Sequence, residues 1–81
     1  MPRFHFNVIY TDHEVPDLEG EEFLDVDAAR REALASARET LANAIRNGED
    51  APQRVQVTDD DGHEVATVAL VEVLPHWMRK S

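Results

Sequence analysis

From Arg3 to Tyr10, apolar residues fall on every second position. Phe4, Phe6, Val8 and Tyr10 alternate with Arg3, His5, Asn7 and Ile9. Successive side chains leave opposite faces of a pleated backbone, so a period of two predicts a strand with one buried face. The pattern stops at the polar run Thr11–Glu14. Val15-Pro16-Asp17-Leu18-Glu19-Gly20 then reads as a structured loop, because Pro16 lacks an amide donor and Gly20 tolerates positive φ. Glu21–Leu24 reads as a short extended piece that tucks Phe23 or Leu24 beneath the fold.

At Asp25 the period changes. Asp25 is a suitable N-cap, and Asp27 adds negative charge at the positive end of the helix dipole. Val26 to Asn47 is rich in Ala, Leu, Arg and Glu, and Leu34, Ala37, Leu41, Ala44 and Ile45 share one face, flanked by Ala33. A helix over about residues 26–47 is expected, stopped by Gly48 and barred from continuing by Pro52. Arg30 falls near the apolar face and is expected to reach toward a carboxylate of the preceding acidic loop.

Alternation returns in Arg54–Thr58, and a longer strand is expected from His63 to Val73. Between them, Asp59-Asp60-Asp61-Gly62 suits a type I turn with a G1 bulge, Gly62 taking the left-handed position. That register pairs Asp59 with His63, Val57 with Val65 and Val55 with Thr67.

The resulting expectation is a single α+β domain over residues 1–81, with 75–81 as a short C-terminal tail. Its order is β-α-β-β, with one long helix packed on one face of a three-stranded antiparallel sheet. A right-handed crossover would make the first two strands parallel, and the third, the most apolar, would lie between them in the order 1-3-2. The face away from the helix would then carry an apolar patch of Ile9, Ala66, Val68 and Leu70. Either a second subunit covers such a patch, giving a homodimer, or the tail folds back with Trp77 as a clamp or interface anchor.

Charge narrows the function. The chain has 17 Asp and Glu against 8 Lys and Arg, a net charge of −9. Such a surface disfavours nucleic acid and anionic membrane and favours a basic protein partner. The acids concentrate between Asp12 and Asp27, a stretch without Lys or Arg; Asp17, Glu19, Glu21 and Glu22 are its candidate docking residues. Cysteine is absent, which removes disulfides and thiolate chemistry. No apolar run approaches the ~20 residues of a membrane span, and no signal-peptide pattern opens the sequence, so a cytoplasmic address is expected.

Catalysis is not expected. Ser36 has no neighbouring base, and the four histidines lack H-x-x-x-H spacing. His13 lies between Asp12 and Glu14, and His63 follows the Asp59–Asp61 run, but neither makes a recognisable metal motif, so no metal or cofactor is expected.

Met1-Pro2-Arg3-Phe4-His5-Phe6, Asp17-Leu18-Glu19-Gly20, the helix opening Asp25–Ala37 and Val55–Gly62 are together similar to a family of small bacterial proteins catalogued as a domain of unknown function. That resemblance spans nearly the whole chain, and implies a small α+β unit and no assigned activity. Val15–Gly20 with the Ala-rich helix and Glu39-Thr40-Leu41 also resembles the loop-to-helix signature of HicB-type antitoxins, although Glu19 stands where that family has Pro. This second resemblance, over about a third of the chain by the notional span of its motif, implies binding to a small RNA-cleaving toxin.

Overall fold

The structure, a computed structural model, describes residues 1–75; Trp77 lies outside the described residues. Its elements are β1 (Arg3–Ile9), β2 (Glu14–Val15), β3 (Glu21–Glu22), α1 (Val26–Asn47), β4 (Arg54–Asp59), β5 (Glu64–Ala69) and a 3-10 turn over Leu70–Val73. The helix has the expected limits. Asp25 accepts a hydrogen bond from the Ala28 amide at its start, and Gly48 closes its end in the left-handed conformation.

The α+β class holds, but the sheet has five strands rather than three. Its path is β2-β1-β4-β5, with β3 also pairing β1. The expected order 1-3-2 is therefore corrected: β1 pairs β4 antiparallel, and β5 lies outside β4. The cause is a reversal of the chain before the helix. β2 pairs with Val8 and Ile9, and β3 pairs with Arg3 and Phe4, so residues 14–22 run back along β1 to its beginning. The helix then starts at the opposite end from the one a parallel crossover needs, and the strand that follows it returns antiparallel to β1.

The turn before β5 forms as expected. The Asp59 amide donates to the His63 carbonyl at 2.9 Å, the Gly62 amide donates to Asp59 at 3.0 Å, and Gly62 has φ 86°. Beyond it the register departs from expectation. Thr58 faces Glu64 but Val57 faces Ala66, so Val65 is an extra residue, and Val55 faces Val68 rather than Thr67. This bulge reverses the side-chain parity of the rest of β5. Val68 is fully buried with Val55 and Val57, Leu70 is buried beside them, and Ala66 packs against the same core. The apolar patch expected on the open face from Ala66, Val68 and Leu70 is thus part of the core beneath the helix. Ile9 stays on the other face, opposite Arg54 and half-buried. The third strand also ends early. The Ala69 amide donates to the Glu72 carboxylate at 2.8 Å, which caps the 3-10 turn where the strand was expected to continue to Val73.

α1 lies over β4, β5 and the 3-10 turn. It presents Ala29, Ala33, Ala37 and Ala44 to the sheet, all buried, while Ile45, expected on that face, is 62% exposed. Small side chains bring the helix close to the valines beneath it, and Leu34 and Leu41 close its margins. Phe23 covers β1 instead, with its ring 5.6 Å from Phe6, edge to face, and 6.4 Å from Phe4. Leu24, the other candidate for that place, points outward. Arg30 pairs with Glu72 of the 3-10 turn, at 3.4 Å, and not with the acidic loop.

Because Ala33 is fully buried in the core, Ala33→Leu should destabilise the fold by about 1–3 kcal/mol. Ala42→Leu on the exposed side of the same helix should change stability by less than about 0.5 kcal/mol. Urea unfolding of both variants checks the pair.

Candidate functional site

β1 leaves its central residues without a strand partner on the outer side, since β2 meets only its end and β3 only its start. Asp17 fills that gap. Its carboxylate accepts from the Phe6 amide at 3.1 Å and from the Gly20 amide at 3.1 Å. Its own amide donates to Asn7 Oδ1 at 2.9 Å, and its carbonyl lies 2.8 Å from His5 Nδ1. One residue thereby does the work of a missing ladder. Gly20 completes the loop at φ 72°, and a Cβ there would stand 2.9 Å from both the Phe4 carbonyl and His5 Cε1. No other residue satisfies both the backbone angle and the clearance.

The network continues across the open face. Asn7 Nδ2 donates to Thr58 Oγ1 at 3.2 Å and to Gln56 Oε1 at 3.4 Å. Gln56 donates to Glu64 at 2.9 Å, and Arg54 donates to Glu64 at 3.2 Å and to Thr67 at 3.4 Å. Asn7 and Thr58 are buried, and among the described residues no buried side-chain polar atom lacks a partner. The face away from the helix is therefore polar and internally bonded. Hydrogen bonding by Gln56, with help from Arg54, holds the Glu64 carboxyl below its usual range.

His5 stands where this network meets the β4–β5 turn. Its Nδ1 faces the Asp17 carbonyl and its Nε2 lies 2.9 Å from Asp60 Oδ1. The Asp60 contact, followed by the Asp17 carbonyl, raises the imidazole pKa above 6.5.

The acidic stretch divides by geometry. Both oxygens of Asp17 are engaged by amides, and Asp25 caps the helix. Glu19, Glu21 and Glu22 are exposed, and among them stand Leu18, 85% exposed, and Leu24, 73% exposed, with Val15 about half exposed. Arg3 approaches this edge, its guanidinium donating to the Glu19 carbonyl at 2.9 Å. The site thus combines exposed carboxylates with exposed apolar side chains. Nothing in the local sequence pattern marks the exposure of Leu18 and Leu24, which depends on the Asp17–Gly20 turn and on Phe23 taking the inner position.

Two further polar groupings lie at the ends of the sheet. His13 stacks on Tyr10 with ring centroids 4.5 Å apart and bonds to Asp12 at 2.6 Å, holding the Asp12 carboxyl below its usual range. Tyr10, Thr11, Asp12 and His13 line a shallow cleft with Glu49 and Asp50. At the β4–β5 turn, Asp59, Asp61 and His63 bring atoms able to ligate a cation within 4.8 Å of one another. Asp59 Oδ1 there already accepts from the amides of Asp61 and His63, both at 2.9 Å, and these bonds shape the turn and lower the Asp59 pKa. The described groupings do not place a nucleophile beside a base: Ser36 sits half-buried on α1, while His5 is on β1, His13 in the loop after it and His63 in the β4–β5 turn.

A first strand with the following chain folded back along it, one alanine-faced helix and a self-bonded polar sheet face define a small α+β domain. Over residues 3–71 the chain matches the family described as Domain of unknown function (DUF6894), and it belongs to that family. No curated protein and no solved structure matches the chain. Among the described residues, no helix is long and apolar enough to cross a membrane.

Asp17→Ala leaves the Phe6 and Gly20 amides without their acceptor and should cost about 1–3 kcal/mol. Gly20→Ala should cost more than about 1 kcal/mol, because the strained angle and the clash act together. Thermal unfolding followed by circular dichroism measures both.

The depressed carboxyls set an acid limit. Asp59 and Glu64 have folded pKa values below their ordinary ones, so they contribute stability above the ordinary carboxylate range that is lost as pH falls through the folded values. Urea midpoints across an acid series should fall less steeply for Glu64→Gln than for the wild type.

Proposed function

We propose that the protein is a small cytoplasmic binding or regulatory module that acts by protein–protein contact, and that the edge formed by Leu18–Leu24 receives a basic partner. The observation that carries this reading is the exposure of Leu18 and Leu24 among the carboxylates of Glu19, Glu21 and Glu22. Clustered carboxylates speed encounter with a cationic surface, and apolar side chains between them give the contact residence. The net charge of −9 acts in the same direction. The likeness of Val15–Gly20 to the HicB-type loop supports the reading by analogy, since those proteins bind a small toxin. Docking at this edge needs no contribution from Val68 or Leu70, which lie in the core.

The test compares wild type with the triple variant Glu19→Lys, Glu21→Lys, Glu22→Lys in affinity capture and in titration with a Lys-rich peptide carrying Leu and Phe. A partner held by the wild type, released by salt and lost from the triple variant is the expected result. The wild type's amide signals over residues 14–24 should move as the peptide is added. Binding that survives the charge reversals, or shifts confined to the far side of the molecule, overturns the assignment of the edge.

A further inference from the structure

His5 joins three separate segments: it belongs to β1, its Nδ1 faces the Asp17 carbonyl of the return loop, and its Nε2 faces Asp60 of the β4–β5 turn. Both contacts are to oxygens that can only accept. A neutral imidazole has one N–H and can satisfy one of them; an imidazolium satisfies both. The ring also lies close to Gly20, where an added Cβ would stand 2.9 Å from its Cε1.

We propose that His5 is a proton-dependent latch: as imidazolium it fastens the β4–β5 turn to β1 through Asp60, and on losing its Nε2 proton it releases that turn while keeping the loop.

The asymmetry follows from the two acceptors. The Asp17 carbonyl is immobilised, since the same residue makes three other hydrogen bonds through its amide and carboxylate. Asp60 is 64% exposed and can rotate into water once the proton bridging it to the ring has gone. The neutral ring therefore retains the Nδ1–H donated to Asp17, the less common tautomer of a free histidine. The charged groups facing the ring are Asp60 from the turn and Asp17 from the loop, both acidic. On β4 the residue opposite is the neutral Thr58, with Glu64 beyond it on β5. Arg3, two residues away on the same side of β1, is turned to the Glu19 carbonyl. The surroundings thus favour the charged ring. Its contribution is complete below the ordinary imidazole range and is lost as pH rises through the elevated folded value.

The latch goes beyond the docking reading and is read on the free protein, so the absence of a partner and the failure of the latch are separate results. Nitrogen-15 spectra of the imidazole rings in the full chain, recorded from about pH 5 to 9, report protonation and tautomer together. The expected result is a His5 midpoint above 6.5, a neutral form protonated at Nδ1, and a roughly tenfold loss of exchange protection at the Asp61 and Gly62 amides with the same midpoint. Asp60→Asn, on the exposed turn, should lower the midpoint and uncouple the turn amides from it. His63→Asn is measured alongside, because that ring lies 3.6 Å from Asp59 in the same turn, and it should leave the coupling intact. A midpoint at or below 6.5, a neutral ring protonated at Nε2, or turn amides that do not follow the His5 titration overturns the proposal.

Discussion

The architecture depends on how residues 11–22 are held against β1. Two two-residue strands could not fix a reversed chain, because each supplies very few ladder bonds. Asp17 joins them: its carboxylate binds one amide of β1 and one of its own loop, and its backbone reaches two β1 side chains. With the return secured, the helix must begin beside Arg3 rather than beside Ile9, and β4 must run antiparallel to β1. Strand order, helix direction and the central position of β4 all follow from this one anchoring.

The second constraint is the bulge at Val65. The turn that starts β5 and the apolar residues that finish it demand opposite side-chain parities. Glu64 must lie outward beside Thr58, Gln56 and Arg54, while Ala66, Val68 and Leu70 must lie inward beneath the helix. One unpaired residue reconciles them, so the sheet gains an apolar face matched to the alanines of α1 and a polar face able to saturate its own hydrogen bonds. Regular pairing would have mixed the two.

Much of this was legible in the chain, for local reasons. Asp25 and Gly48 delimit the helix because caps act within a turn, and Gly62 specifies its turn because only a few residues tolerate the left-handed conformation. The strand order was not legible. Glu14-Val15 and Glu21-Glu22 are too short and too polar to show alternation, so the local pattern gives no sign of the reversal they create, which moves the start of the helix to the other end of β1. The second bulge did leave a trace. Thr67 is the single polar residue between Val65 and Val71, and it marks the outward position that assigns Ala66 and Val68 inward. The acidic edge was visible as composition, but the engagement of Asp17 in the loop could not be separated from the exposure of Glu19, Glu21 and Glu22 without the fold. The His5–Asp60 contact joins residues 55 apart in sequence, beyond any local pattern.

The Val65 bulge also bears on how these molecules meet one another. Among the described residues β5 is the outermost strand on its side of the sheet, and a regular strand of Val, Ala and Thr in that place would offer an unbroken row of amides and carbonyls to a neighbouring chain. The extra residue breaks that row near its start, next to the exposed Glu64, and the Glu72 carboxylate occupies the Ala69 amide at the other end. The irregularity that sorts polar from apolar side chains thus also shortens the template on which a crowded solution of these chains could polymerise.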